Sequence, residues 1–139
     1  MGNTTAKGKF EVTDWDEKPY AKLGESGKLT KASVKGTLTG DIVGEAVTEW
    51  LMCYASEKEA TFFGFQKIDG TIAGKKGTFV IEMSGTFDGK VAESTWSVVP
   101  GTGSGDLAGL TGEGTFHSPH GTKADYSLDF EIAGVRAGR

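Results

Sequence analysis

From Lys123 to Ile132 the chain alternates without a break. Ala124, Tyr126, Leu128, Phe130 and Ile132 fall on one side, and Lys123, Asp125, Ser127, Asp129 and Glu131 on the other. A period of two is the signature of a β-strand with one dry and one wet face. The same pattern recurs upstream, where Phe79, Ile81, Met83 and Phe87 oppose Thr78, Glu82, Ser84 and Thr86, and Ala32, Val34 and Leu38 oppose Lys31, Ser33, Lys35 and Thr37. The chain has 22 glycines and 3 prolines, and the glycines punctuate runs rich in Val, Ile, Thr, Phe and Trp, so they mark turns between strands rather than disorder. No window of helical length carries an apolar stripe, and helix is expected to be scarce. The acidic stretch from Asp14 to Glu25, broken by Pro19, reads as a long loop.

The segment from Asp41 to Ala55 is apolar on both sides: Trp50, Met52 and Tyr54 share one face, and Val47, Leu51 and Cys53 the other. Alternation alone does not choose between them, so hairpin register is used, because opposed residues share a face. A two-residue turn at Gly40-Asp41 pairs Leu38 with Val43 and Ala32 with Glu49. A turn at Glu57-Lys58 sets Cys53 against Phe62 and Glu49 against Gln66. Both place Glu49 inside. Turns at Lys75-Lys76 and Asp88-Gly89 then set Ile68 against Met83, Met83 against Ser94 and Ile81 against Trp96. A three-residue loop, Pro119-His120-Gly121, with Gly121 at positive φ, sets Phe116 against Ala124 and Gly114 against Tyr126.

The first strand, with Phe10 and Val12 inward, can lie beside the last and remove both sheet edges. The expected fold is all-β: a closed antiparallel β-barrel of about eight strands, with a flat sandwich as the alternative. At 139 residues the chain fits one domain, with residues 1–6 and 134–139 expected as flexible tails.

A formal net charge of -4, with no uniformly basic stretch, argues against nucleic acid or anionic membrane as partners. Cys53 is the single cysteine, which excludes an internal disulfide and favours a reducing, cytoplasmic setting. No segment approaches the ~20 apolar residues of a membrane span, and the start of the sequence carries no signal-peptide pattern. Asn3-Thr4-Thr5 is read as a chance match to a glycosylation acceptor. His117 and His120 lack a third ligand at recognisable spacing, and the glycine-rich run from Gly101 to Gly114 lacks the lysine of a phosphate loop. No metal or cofactor is expected.

The run Trp96-Ser-Val-Val-Pro-Gly-Thr-Gly-Ser-Gly-Asp-Leu-Ala-Gly-Leu-Thr-Gly-Glu-Gly-Thr-Phe116, with Trp15-Asp-Glu-Lys-Pro-Tyr20 and Leu51-Met52 before Tyr54, resembles a bacterial family of uncharacterised proteins, domain of unknown function 3224. That family is grouped with the allene oxide cyclase barrel. The resemblance runs from about Phe10 to Phe130. It implies an eight-stranded antiparallel barrel related in shape to plant allene oxide cyclases and dirigent proteins, but no catalytic motif of those relatives falls at matching positions. It raises the expectation of an apolar cavity and assigns no activity.

The register makes Glu49 and Gln66 an opposed interior pair. A carboxylate in an apolar wall has its pKa raised by desolvation and can serve as a general acid or base, with Gln66 or Tyr126 orienting it. Glu49, Gln66 and Tyr126 are therefore the candidate catalytic residues; Glu45, Cys53, Phe62, Met83, Ser94, Trp96 and Phe116 are the candidate ligand-binding residues. The alternative is that Glu49 is a structural group satisfied inside the core, and Cys53 a buried inert thiol. The leading functional expectation is a lumen holding a small, largely apolar ligand, with cofactor-independent isomerase or cyclase chemistry as the enzymatic form. A non-catalytic carrier of a lipophilic metabolite and a structural oligomer with a filled barrel are the alternatives. Trp50, Met52, Tyr54, Phe63 and Phe65 would lie outside, as the contact surface of a homodimer or other homo-oligomer. The Asp14 to Gly27 loop is a possible lid.

Overall fold

The computed structural model describes residues 4–120 and 123–132. Eight strands, β1 (Thr4–Leu23), β2 (Gly27–Gly40), β3 (Ile42–Tyr54), β4 (Ala60–Ile72), β5 (Lys75–Phe87), β6 (Ala92–Val98), β7 (Leu110–His120) and β8 (Lys123–Ile132), follow one another around a closed antiparallel barrel. β1 lies beside β8, with Ala6 opposite Leu128 and Phe10 opposite Ala124, so every strand has two neighbours; among the described residues the half of β1 beyond Glu11 pairs with β2 alone. Closure excludes the sandwich. One turn of 3-10 helix, Gly105–Leu107, is the only helical element among the described residues.

Two expectations about β1 change. The acidic stretch is strand rather than loop: it forms the far half of β1 and pairs with β2 from Asp14↔Lys35 to Leu23↔Gly27. Thr4, Thr5 and Ala6 belong to the wall rather than to a tail, and Ala6 is buried. The remaining expected tail residues, 1–3 and 134–139, lie outside the described residues, as does Gly121.

The larger correction is β3, which turns its other face inward. The β2–β3 connection is centred on Asp41 and pairs Leu38 with Gly44, so Ala32 meets Trp50 and Ser33 meets Glu49. Gly40 takes φ +97°, and Asp41 continues the ladder toward β1: its N–H donates to the Lys7 carbonyl and its Oδ2 accepts from the Lys7 N–H, both at 2.9 Å. The β3–β4 connection spans residues 55–59, with the Ser56 hydroxyl accepting from the N–H groups of Lys58 and Glu59. Each connection is odd in length where two residues were expected, and a slip of one residue exchanges the faces. The two slips cancel across β3. β2 and β4 therefore keep their expected faces, while Glu45, Glu49 and Cys53 go outside and Trp50 and Met52 go in.

The remaining hairpins are displaced by even numbers of residues, so their faces hold. The β4–β5 turn falls at Ala73-Gly74, both at positive φ, and pairs Ile68 with Phe79. Met83 meets Trp96 rather than Ser94, and Phe116 meets Tyr126 rather than Ala124.

The two ends of the barrel differ. At the end carrying the β2–β3, β4–β5 and β6–β7 connections, Leu38, Ile42, Ile72, Phe79, Leu107 and Leu110 are fully buried. The glycine-rich segment closes this end. Ser104 N–H donates to the Thr78 carbonyl at 2.9 Å, and Thr78 N–H donates to the Ser104 hydroxyl at 3.1 Å. A Cβ on Gly77 would stand 2.0 Å from the Ser104 carbonyl oxygen, so the loop can approach only a glycine here.

Tyr126 ties the middle of the barrel to this closed end. Its ring stacks on Trp96 at 5.3 Å, and its hydroxyl donates to the Thr39 carbonyl at 2.7 Å and accepts from the Ile42 N–H at 2.9 Å. Tyr126→Phe keeps the ring but leaves the buried Ile42 N–H without its acceptor. It is expected to lower unfolding free energy by about 1–3 kcal/mol in chemical denaturation; an unchanged midpoint would show that the hydroxyl is not a clamp.

Candidate functional site

At the opposite end, ringed by the β3–β4, β5–β6 and β7–β8 connections, the barrel opens into a cavity of about 710 Å³. Its wall comes from seven strands and one turn: Phe10, Val12 and Trp15 of β1; Trp50, Met52 and Tyr54 of β3; Phe62 of β4 and Phe87 of β5; residues 89–91 of the turn and Ala92 of β6; Phe116, Ser118 and Pro119 of β7; and Ala124 of β8. Seven of these side chains are aromatic. Trp50 sits between Trp15 at 5.6 Å and Phe62 at 5.5 Å, and Phe10 packs on Phe116 at 5.8 Å. Phe116 stacks in turn on Trp96 at 6.0 Å, which joins the cup to the packed half.

Local backbone irregularity places part of this wall. The β1–β2 register shifts between Val12 and Asp14, so Thr13 is the extra residue of a bulge. Beyond it the inward phase moves from even to odd numbers. Trp15 and Glu17 then lie opposite the buried Val34 and Ala32, whereas unbroken alternation would have turned Asp14 and Asp16 inward. Gly64 makes room for Trp50: a Cβ there would lie 2.7 Å from the indole Cδ1 and 2.0 Å from the Glu49 carbonyl oxygen.

The carboxylate on the inner side of the wall is thus Glu17. Its Oε2 accepts from the Thr30 hydroxyl at 2.6 Å and the Tyr54 hydroxyl at 2.8 Å, and its Oε1 accepts from Trp15 Nε1 at 3.2 Å. It braces three side chains from three adjacent strands, two of which line the cup. Burial, followed by the Glu17 hydrogen bond and negative charge, pushes the Tyr54 phenol well above its ordinary value. Burial likewise raises Tyr126, aided by the Asp41 charge and opposed by the Ile42 N–H.

The three candidate catalytic residues do not converge. Glu49 is on the outer surface with its side chain 59% exposed, where it accepts from the Ser33 hydroxyl at 2.9 Å and lies 3.8 Å from Lys31 Nζ. Gln66 is inside as expected and fully buried, but its partner is the Thr48 hydroxyl, to which Nε2 donates at 3.0 Å. The Tyr126 hydroxyl is held by the β2–β3 turn. Of the candidate ligand-binding residues, Phe62 and Phe116 line the cup. Met83, Ser94 and Trp96 are buried, and Glu45 and Cys53 face outward.

Trp15, Trp50, Met52, Tyr54, Phe87 and Lys90 are among the cup residues absent from the expected site. Four buried polar atoms have no partner among the described residues: Trp50 Nε1, Gln66 Oε1, Ser94 Oγ and Trp96 Nε1. The first belongs to the cup wall. His117 Nε2 lies 3.5 Å from Glu93 on the outer side, and the His120 side chain lies outside the described residues. Among the described residues no three His, Cys, Asp or Glu side chains gather as a metal site, and no helix is long and apolar enough to cross a membrane.

Fold and site together define a small meander barrel, packed at one end and open at the other as an aromatic cup. The family described as protein of unknown function (DUF3224) matches residues 6–130, and the chain belongs to that family. The structure is similar to the crystal structure of a protein with unknown function from the DUF3224 family of Shewanella oneidensis MR-1. The two share 26% sequence identity and a TM-score of 0.75, over 94% of this chain and 97% of that one. A search of curated proteins finds no match.

The tyrosine environments give a pH signature. In the unfolded chain a phenol ionises near pH ~10, whereas folded Tyr54 and Tyr126 hold their protons higher. The folded state therefore binds more protons than the unfolded state above that pH, and stability falls as pH rises through and beyond ~10. At pH ~11 the tyrosinate absorbance of the folded protein should fall short of the denatured protein's. Equal absorbance in the two states would contradict the burial of both phenols.

Proposed function

We propose that this protein binds a small, largely apolar molecule in the open end of its barrel. The observation that carries the reading is the cup itself. Its volume of about 710 Å³ falls within the roughly 300–1,000 Å³ typical of small-molecule sites, and its wall combines aromatic side chains with few polar atoms. Leaving such a surface wet is unfavourable by roughly 25 cal/mol for each Å² of apolar area that a ligand could cover. The reading is of binding rather than turnover, because Glu17, which bonds two cup residues, accepts from three donors at once and acts as a strut.

The neutral probe N-phenyl-1-naphthylamine should bind at one site per chain, with enhanced and blue-shifted fluorescence. Val91→Trp, which adds an indole at the cup wall, should weaken binding at least tenfold, while Glu49→Gln on the outer face should leave it unchanged. No binding to the wild type, or binding indifferent to Val91→Trp, would overturn the reading.

A second reading, self-association, rests on the outer face of β3 and β4. Val43, Val47 and Leu51 are about half exposed there beside Phe63 and Phe65, whose rings lie 5.7 Å apart. With β3 turned over, this face keeps Phe63 and Phe65 from the expected set and exchanges Trp50, Met52 and Tyr54 for the three aliphatic residues. Its charged neighbours Lys31, Glu49, Lys67 and Asp69 carry both signs, which a two-fold axis can set against each other. We propose a second copy of this chain as the occupant. Sedimentation velocity should show a dimer that Phe65→Lys converts to monomer; a wild type that remains monomeric at high concentration would defeat this reading.

A further inference from the structure

The one charged side chain among the described residues of the cup wall, Lys90, points to the ligand's chemistry. Trp50 is 94% buried and its Nε1, which has no partner among the described residues, is sealed within the wall and presents nothing to the lumen. Lys90, in the β5–β6 turn, lines the same cup and makes no ion pair among the described residues. The nearest acid, Asp88, has its Oδ1 turned into its own turn, accepting from the N–H groups of Lys90 and Val91, both at 2.8 Å. Lys58, in the facing β3–β4 loop, lies with its backbone and side-chain stem against Gly89. Glu57 and Glu59 flank it but do not line the cup. The interior carboxylate, Glu17, is engaged by three donors and does not line the cup either.

We infer that the cup selects an aromatic anion: a planar apolar body held among the aromatic walls, with a carboxylate, sulfonate or comparable acidic group at the rim against Lys90. This rests on the binding reading above and adds charge selectivity to it. Flat rings suit walls built from Trp15, Trp50, Phe62 and Phe116, because offset stacking and edge contacts add to area burial. A charge-assisted hydrogen bond at a half-dry rim is stronger than the same pair in open water. A cation is disfavoured by the Lys90 ammonium.

The test uses two probes that share a ring system and differ by one charge: 1-anilinonaphthalene-8-sulfonate and neutral N-phenyl-1-naphthylamine. They are titrated by calorimetry into the full chain, with near-UV circular dichroism confirming the native fold. Lys90→Ala should weaken the sulfonate about tenfold and change the neutral probe less than twofold, and Lys90→Glu should weaken the sulfonate further. Lys35→Ala, an equal charge change away from the cup, should alter neither. If Lys90→Ala leaves the sulfonate's affinity unchanged, or weakens both probes alike, the inferred anion site is wrong while the apolar cup stands. If neither probe binds the wild type, both the inference and the binding reading beneath it fall.

Discussion

Everything that distinguishes this barrel depends on which face of β3 points inward. A strand has only two choices, and a connection one residue longer or shorter exchanges them for every side chain at once. Here the choice is enforced from both ends, by Asp41 bonding to Lys7 across the β2–β3 turn and by the Ser56 hydroxyl organising the β3–β4 loop. It brings Trp50, Met52 and Tyr54 into one wall of the cup. The opposite choice would have taken two carboxylates, Glu45 and Glu49, into an apolar interior, each at a cost of several kcal/mol after relaxation. Neither choice is neutral for the outside, because β3 has apolar residues on both faces. Those left outside are Val43, Val47 and Leu51, beside Phe63 and Phe65.

Much of the architecture is legible in the sequence, because alternation and glycine placement are local properties. β8, β5 and β2 declare their inner faces through long one-sided patterns, and Phe10 and Val12 declare that of β1. Those four strands already imply closure, since β1 and β8 each need a second neighbour. β3 declares nothing in this way, and its phase has to be inferred from turns whose lengths are set by long-range contacts. The Lys7–Asp41 pair joins residues 34 positions apart, and no inspection of Gly40-Asp41 alone reveals it. One local signal did favour the observed face, since the alternative places two glutamates inside. That desolvation argument outweighs an assumed two-residue turn.

The site was less legible than the fold for a related reason. The acidic run from Asp14 onward looks like a solvated loop because its charges alternate with Trp15, Pro19 and Tyr20. The bulge at Thr13 converts it into wall by moving the inward phase to Trp15 and Glu17. The expected interior amide, Gln66, is buried, but the expected interior carboxylate, Glu49, is on the outer surface. The inward, part-buried carboxylate is Glu17, and it does not meet the amide: Glu17 braces Tyr54, Thr30 and Trp15, while Gln66 pairs with Thr48. Phe62 and Phe116 were placed correctly because β4 and β7 kept their phase.

The division of the lumen into a packed half and an open half follows from what each end has available to fill it. At the closed end, a glycine-rich segment comes close enough to β5 to insert Leu107, and the Tyr126 hydroxyl fixes the neighbouring turn. At the open end, the described connections supply Lys58, Asp88 and Lys90 but no large apolar residue to cover the aromatic wall. The wall is nevertheless made rigid, since Glu17 bonds two of its members and Trp50 is held between Trp15 and Phe62. A rigid apolar surface has already met the ordering cost that binding would otherwise impose on its side chains. A collapsed end would have shown the opposite, with mobile aliphatic residues folded inward to exclude water. The preorganised cup is therefore the part of this barrel whose shape is not explained by stability alone.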